Sequence, residues 1–573
     1  MKMIQTWPLT AMALMGSLLL TACDQPAPPP EMDDHGIHQY YGTLEPFVGE
    51  AVYFVVTDRF VNGDPANDYP QLGGELSSFD RPLPPCDGVS ANVGYLGGDF
   101  RGLADHADYI REMGFSAVWI TPIVDNPDQI FTGGSEISCN SILSDRGKAA
   151  YHGYWGVNFY QLDEHLPSAD FAFTDLTRTL RQNGLKTVLD IVGNHGSPAW
   201  SMVAPQPEFG QIYASDGQLL ADHGNLPPDQ LQPQSNPLHR FFNTEPGLAQ
   251  LGDLDEDNPA VLDYLSGAYL QWIDQGAAAF RIDTIPYMPH RFWKAFSDRI
   301  REQHPDFFMF AEAFNDDASV IAEHTLPANG GISVLDFPLR KQLRAVFEQD
   351  DGDFSQLERA LYLEDGPYAN PYELATFYDN HDMARMQADD AGFINAHNWL
   401  FTARGFPVIY YGSEMGFMRG RAEHAGNRNY FGVEGIAAAR QHPIRQALSR
   451  IAKVRAQSPA LQRGLQVNLL LDDDLAAFYR VFQHQGEAQT ALVLLNKGAA
   501  SAELRINKLL QPGSWQSAFD EQQLSVADGE DLVRQLPANG IEVWMYDAPL
   551  DHSPLLQRLD RAMARKSALR DVE

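Results

Sequence analysis

The sequence predicts an α/β fold: a (β/α)8 TIM barrel with a loop domain inserted after strand 3 and a C-terminal antiparallel β-sandwich domain. Three observations carry this. From about Val48 to Ile451, eight short apolar runs alternate with amphipathic helical stretches, the pattern of βαβ units around a parallel sheet. Several runs end in a polar residue, as barrel strands do when they present a side chain at the carboxyl edge. After Ser458 the helical stretches give way to alternating runs separated by turn residues, which read as antiparallel strands.

The elements follow in chain order. Lys2 and the apolar Ala11–Leu20 read as the n- and h-regions of a signal peptide over residues 1–22, too short for a comfortable membrane span. Leu20-Thr21-Ala22-Cys23 resembles the lipobox of bacterial lipoproteins, which implies lipidation of Cys23 and an exported, lipid-anchored protein of the bacterial cell envelope facing the periplasm. Asp24 resembles the residue that retains enteric lipoproteins at the inner membrane. The alternative is an ordinary cleaved signal peptide with an incidental Cys. Pro26–Pro30 and the acidic Glu31–Asp34 read as a tether, taken to extend over residues 23–47.

The barrel is assigned to residues 48–457, with strands at Ala51–Val56, Ala117–Ile120, Thr187–Val192, Ala278–Ile282, Phe308–Ala311, Ile332–Leu335, Leu374–Tyr378 and Val408–Tyr411. Residues 196–251, rich in Pro, Gly, Asn and Gln without helical period, read as the inserted loop domain. Residues 458–548 form the β domain, with strands at Leu475–Phe482, Thr490–Asn496, Ala502–Ile506 and Ile541–Tyr546. Residues 549–573 are a tail whose Leu555–Leu569 has helical period.

Composition bounds the function. A chain of 573 residues with 44% hydrophobic and 11% aromatic content supports a large core and is not disordered. The net charge of −35 argues against a nucleic-acid partner, and a neutral ligand such as a glycan is compatible with it. Beyond Cys23 only Cys86 and Cys139 remain. In an exported chain they plausibly pair as one disulfide between loops, the alternative being two independent thiols.

Three carboxylates sit just past β-type runs: Asp283 after Ala-Ala-Phe-Arg-Ile, Glu312 after Phe-Phe-Met-Phe-Ala, and Asp382 ending Phe377-Tyr-Asp-Asn-His-Asp. Paired acids at a barrel's carboxyl face suit glycoside chemistry, where one carboxylate attacks and another donates a proton. Arg281, two residues before Asp283, points the same way on a strand and can keep that acid ionised. Any one of these acids alone reads more readily as a helix cap.

Together, Asp190-Ile-Val-Gly-Asn-His195, Phe280-Arg-Ile-Asp283, Phe310-Ala-Glu312 and Phe377-Tyr-Asp-Asn-His-Asp382 resemble the four ordered signature segments of the α-amylase family of glycoside hydrolases. Tyr151-His-Gly-Tyr-Trp155, Gly114–Pro122 and Gly405–Gly412 support the resemblance, which lies toward the α-amylase and cyclodextrin glucanotransferase branch. It implies a retaining enzyme in which Asp283 is the nucleophile, Glu312 the acid and base, and Asp382 the clamp on sugar hydroxyls. It further implies substrate contacts at Arg281, His195, His381, His152, Trp155, Tyr154 (an aromatic platform), Arg428 and Phe314 (an aromatic favouring sugar over water as acceptor).

The resemblance also implies Ca²⁺. The oxygen-rich turn Asn62-Gly-Asp64-Pro-Ala-Asn67-Asp68, with Gly97 and Asp99, matches the branch's N-terminal calcium loop, the alternative being a surface turn without an ion. A second calcium site would use Asn194, Asp253 and the backbone carbonyl of Tyr287. Here the sequence departs from the family, with Pro286-Tyr287 where a Lys-His pair is usual. Arg428 lacks its usual Asp four residues earlier, where His424 stands. Ala249 replaces the large aromatic around which cyclising relatives wrap a glucan, and the starch-binding domains typical of cyclodextrin-forming enzymes are not seen. The expected activity is therefore hydrolysis of α-1,4 bonds in starch or malto-oligosaccharides. An α-glucanotransferase is the alternative, and a non-catalytic glycan-binding lipoprotein a third reading that the three intact acids disfavour.

Overall fold

The computed structural model describes residues 38–570 except 140, 142, 143 and 350. The signal peptide, Cys23 and the first part of the tether lie outside the described residues.

Eight parallel strands form the core sheet: β1 (Val52–Val55), β2 (Ala117–Ile120), β3 (Lys186–Val192), β4 (Ala277–Asp283), β5 (Phe308–Ala311), β6 (Ser333–Val334), β7 (Ala375–Thr376) and β8 (Phe406–Tyr410). Their order is β6-β5-β4-β3-β2-β1-β8-β7. A parallel bridge from Leu335 to Ala375 joins the two ends and closes the barrel. All eight expected runs are strands. β6 and β7 keep only two residues each, because the chain leaves the sheet directly into the helix at Phe337–Glu348 and into the segment carrying Asp382.

Both faces of these strands are buried, which is why they read as continuous apolar runs. Inside, Phe54 stacks on Trp119 at 3.8 Å, and Trp119 meets Phe310 edge-on at 5.7 Å. Outside, Phe280 packs against Tyr269 of the helix Pro259–Asp274. Arg281 and Asp283 alternate with Phe280 and Ile282 and face inward, so the strand period itself brings the charged pair to the barrel axis.

The insertion after β3 holds two short antiparallel pairs, His195–Pro198 with Leu251–Asp253 and Gln211–Tyr213 with Leu219–Asp222. Its small core of Phe131, Ala150, Trp155, Met202, Phe209 and Leu251 draws on both this segment and the loop after β2. That second contribution was not anticipated, because a Gly/Ser-rich stretch shows no period. Cys86 and Cys139 form a disulfide with Cα atoms 5.8 Å apart, closing the loops beside the barrel.

The C-terminal domain has eight strands: β9 (Leu465–Asp472), β10 (Leu475–His484), β11 (Glu487–Asn496), β12 (Ala502–Ile506), β13 (Gly513–Ser517), β14 (Gln523–Val526), β15 (Leu532–Leu536) and β16 (Gly540–Tyr546). They make a six-stranded sheet, β9-β10-β11-β16-β13-β14, and the pair β12-β15. Tyr479, Leu492, Leu504, Trp515 and Leu536 fill the space between. The helix Ser553–Arg570 buries Leu555 and Leu559 against this core.

The tether expected over 23–47 is shorter at its far end. Tyr40 is fully buried, bridges to Gln483 on β10 and donates to Asp560 at 2.6 Å, while the amide of Gly42 donates to the carbonyl of Arg463. An aromatic with a satisfied hydroxyl anchors this segment to the body, where composition alone reads linker.

Candidate active site

The site is built outward from one buried cation. Arg281 on β4 donates through Nη1 to Asp283 Oδ1 at 2.8 Å and to Asp190 Oδ1 at 2.9 Å, and its Nη2 lies 2.9 Å from Glu312 Oε2. Asp190, on the neighbouring β3, also accepts from Trp119 Nε1 at 2.9 Å and from the Tyr154 hydroxyl at 2.7 Å. One guanidinium thus gathers the nucleophile candidate, the acid candidate and a third carboxylate. Burial pushes Glu312 up to about 8, the negative charges of Asp382, Asp283 and Asp190 adding to this against the opposing effect of Arg281. Burial likewise pushes Asp190 up to about 7 against the pull of Arg281. The upward shift favours the protonated form that a proton donor needs.

Asp382 closes the opposite side. Its Oδ1 accepts from Arg428 Nη2 at 2.6 Å, and His381 Nε2 lies 3.2 Å from its Oδ2. Burial holds His381, His152 and His195 below the ordinary histidine range, so all three present neutral imidazoles. Tyr154 stacks on His381 with ring centres 5.4 Å apart, and His152 Nδ1 accepts the Tyr154 amide at 3.1 Å. The Trp155 ring lies edge-on to His152 at 4.8 Å and belongs to the small insertion core.

Beside Glu312 a groove of about 210 Å³ is lined by Thr284, Pro286, Tyr287, Phe314, Asn315 and Val320. Thr284, just after the nucleophile candidate, has φ of 47°, a left-handed turn that is uncommon away from glycine. It folds Pro286 and Tyr287 back toward Glu312, whose carbonyl accepts the amide of Ile285 at 3.1 Å. Tyr287 is 51% exposed and Phe314 58% exposed, a pairing of bare aromatic rings next to an acid.

The two expected cation sites differ. At the N-terminal turn, Asn62 Oδ1 and Asn67 Oδ1 are buried without a hydrogen-bond partner, the orphaned oxygens that a hard cation would occupy. Gly97, at φ +85°, presses so close to Asn62 and Asp68 that a Cβ would meet them at 2.2–2.3 Å. Asp64 and Asp99 complete the turn, with Asp99 Oδ2 accepting the Asp64 amide at 2.7 Å. This donor set fits Ca²⁺. At the second set Asp253 Oδ1 accepts from Asn194 Nδ2 at 3.0 Å and Oδ2 from the Gly247 amide at 2.8 Å, and neither residue shows an orphaned buried oxygen like those of Asn62 and Asn67. A further acidic place was not foreseen. Ligand atoms of Asp163, Glu164 and His165 lie within 4.8 Å of one another, and Asp125 nearby is pushed up to about 8, chiefly by burial.

Two functional residues escaped the sequence reading. Asp190 lies within a quoted segment, but only the pairing of β3 with β4 places it against Arg281. Glu423 supplies the acid for Arg428 at 3.1 Å, one residue before the His424 that stands at the expected spacing. Buried Lys148 joins it at 2.9 Å.

The family model for the alpha-amylase catalytic domain matches residues 54–448, well over half of the chain. The chain belongs to the alpha-amylase family. It is 29% identical to a beta/alpha-amylase of Paenibacillus polymyxa over 507 residues, covering 86% of this chain and 36% of that protein. It is also 29% identical to a cyclomaltodextrin glucanotransferase of Bacillus sp. (strain 38-2) over 469 residues, 79% of this chain and 60% of that protein. The chain thus spans less than two thirds of the length of these curated relatives. Among solved structures, a cyclomaltodextrin glucanotransferase with a three-domain ABC distribution superposes with a TM-score of 0.70 at 29% identity, covering 87% of this chain and 99% of that one. An Anoxybacillus alpha-amylase superposes at 0.66 with 25% identity, covering 88% and 99%.

Proposed function

We propose that this alpha-amylase-family chain is a retaining α-glucan hydrolase acting on α-1,4 bonds of starch or malto-oligosaccharides. The observation that carries the reading is the single guanidinium of Arg281 joining Asp283 and Glu312. Carboxyls bridged in this way suit the close spacing at which one attacks the sugar directly, roughly 5–5.5 Å, and leave little room for a water between them.

In the proposed reaction a carboxylate oxygen of Asp283 bonds to the anomeric carbon as the glycosidic C–O bond breaks. The proton on Glu312 passes to the departing oxygen. Arg281 keeps Asp283 anionic for the attack, and Asp190 anchors Arg281 from behind. Glu312, now a carboxylate, takes a proton from water as that water displaces Asp283 and returns the acid to its starting state. Asp382, set by Arg428 and His381, holds sugar hydroxyls so that the ring distorts toward the planar transition state. Tyr154 offers its face to the same sugar. Asn62, Asp64, Asn67, Asp68, Gly97 and Asp99 would hold a Ca²⁺ whose role is to rigidify the loops flanking the barrel. The proposed setting is the bacterial cell envelope, with the chain lipid-anchored through Cys23.

One observation favours a second reading, α-glucan transfer. The exposed rings of Phe314 and Tyr287 flank Glu312 where an acceptor sugar would displace water, and two of the relatives above are named glucanotransferases. Incubation with maltotetraose separates the readings. Hydrolysis gives new reducing ends from the start, whereas early longer oligomers with constant reducing sugar would replace it with transfer.

A further inference from the structure

We propose that the Cys86–Cys139 disulfide and the Glu423–Lys148 pair form a positioning brace that sets Arg428 on Asp382. The proposal rests on the reading of Asp382 as the substrate clamp.

The brace can be followed atom by atom. Arg428 reaches Asp382 through Nη2 and donates from Nε to the His381 carbonyl at 3.0 Å. Its Nη1 lies 3.1 Å from Glu423 Oε1, which also accepts from Lys148 Nζ at 2.9 Å. Lys148 is tied in turn to Asp145 at 2.7 Å. Glu423 thus serves two buried cations, and their charges hold it well below the ordinary carboxylate range against the cost of burial.

The segment carrying Glu423 and Arg428 is gripped by both halves of the disulfide. Cys86 Sγ lies 3.6 Å from the His424 carbonyl, and the Cys86 carbonyl accepts from Arg421 Nη1 at 3.1 Å. On the other half, His424 Nδ1 lies 3.2 Å from the carbonyl of Ser141, two residues after Cys139. Asn429 Nδ2 donates to the Ser90 carbonyl at 3.1 Å. Two loops that share no sheet with the barrel are therefore joined across residues 421–429. A guanidinium aimed at a clamp from a loop needs such fixing, since displacing a substrate-positioning group by about 1 Å can cost on the order of 100-fold in rate.

The test uses the mature protein, oxidised and reduced, with C86S/C139S, E423Q, K148M, K148R and the combined C86S/C139S/E423Q. On maltoheptaose we expect kcat to fall about 10-fold for C86S/C139S and about 30-fold for E423Q, with KM changed less than about threefold. Non-additivity is the signature: the combined variant should be no slower than E423Q alone, because both act through Arg428. K148R should stay near wild type while K148M falls with E423Q, and circular dichroism should show all variants folded. Multiplying losses, or unchanged kcat in folded C86S/C139S, would overturn the brace. Hydrogen–deuterium exchange across residues 421–429 reads the same device without turnover. Faster exchange after loss of the disulfide supports the brace, and unchanged exchange overturns it. Wild type that turns over no glucan would instead count against the proposed function, leaving the exchange result to decide the brace.

Discussion

Two pairs of buried arginines, Arg281 and Arg428 at the carboxyl end of the barrel and Arg455 and Arg480 at the amino end, are satisfied in contrasting ways. At the carboxyl end Arg281 and Arg428 are held by carboxylates: Asp190, Asp283 and Glu312 for one, Asp382 and Glu423 for the other. At the amino end Arg455 is held by carbonyls alone, those of Leu461, Val48 and Gly405 at 2.6–3.0 Å. Arg480 of β10 similarly takes the carbonyls of Thr402, Ala403 and Gly464 and so locks the last turn of the helix Asp390–Thr402 to the C-terminal domain. Carbonyl dipoles do not titrate, so the oxygens that hold Arg455 and Arg480 carry no pH dependence of their own. Carboxylates crowded together in low dielectric do titrate, and Glu312 is moved into the range where proton transfer is useful. The difference separates cations that fasten the fold from cations that tune chemistry.

The largest expected effect breaks the carboxyl end. Glu312→Gln keeps the shape but removes the transferable proton, so kcat should fall by about 10³- to 10⁴-fold while glycan binding persists by calorimetry. Retention of wild-type rates would remove Glu312 from the acid role. Arg455→Met attacks the other end and leaves several buried carbonyls unpaired. It should destabilise the protein by about 3 kcal/mol in denaturant titration, with activity per folded molecule unchanged. A loss of turnover in fully folded Arg455→Met would erase the contrast between the ends.

Smaller effects sharpen the contrast. If the Asn62–Asp68 turn holds Ca²⁺, chelation should lower the melting temperature by a few degrees, calcium should restore it, and Asp99→Asn should abolish the response. For pH, Glu312 is raised to about 8 and must be protonated to act, so activity should fall as pH rises through that value. Asp190 helps to raise Glu312, and removing its charge also frees Arg281 to act on Glu312. Asp190→Asn should therefore move the alkaline limb to lower pH, whereas an unmoved limb would sever the link. Smallest of all, Tyr287→Ala should change the ratio of transfer to hydrolysis by a few-fold at high maltotetraose concentration with little effect on the first bond cleaved. An unchanged product pattern would leave the groove without a role.

Most of the barrel was legible because its strands announce themselves as short apolar runs, and Ala117–Ile120 and Phe308–Ala311 match residue for residue. β9, β13, β14 and β15 were not: Gly513–Ser517, Gln523–Val526 and Leu532–Leu536 are short and half-exposed, and Leu465–Asp472 follows the short helix Pro459–Arg463 after Gly464 alone. Within the site the acids could be found by position after a strand. Glu423 could not, because a loop residue gains its partners only when distant loops meet.

By itself the sequence determined the barrel, the family and the three carboxylates at its carboxyl edge, because strand period and residue type are local properties. Only the tertiary structure decided how those charges are shared. It set one guanidinium between Asp283 and Glu312, Glu423 in place of the missing partner of Arg428, N–H donors on both oxygens of Asp253, and a disulfide over the loop behind Asp382. Charge–charge interaction depends on distance and burial, and neither exists until the chain has folded.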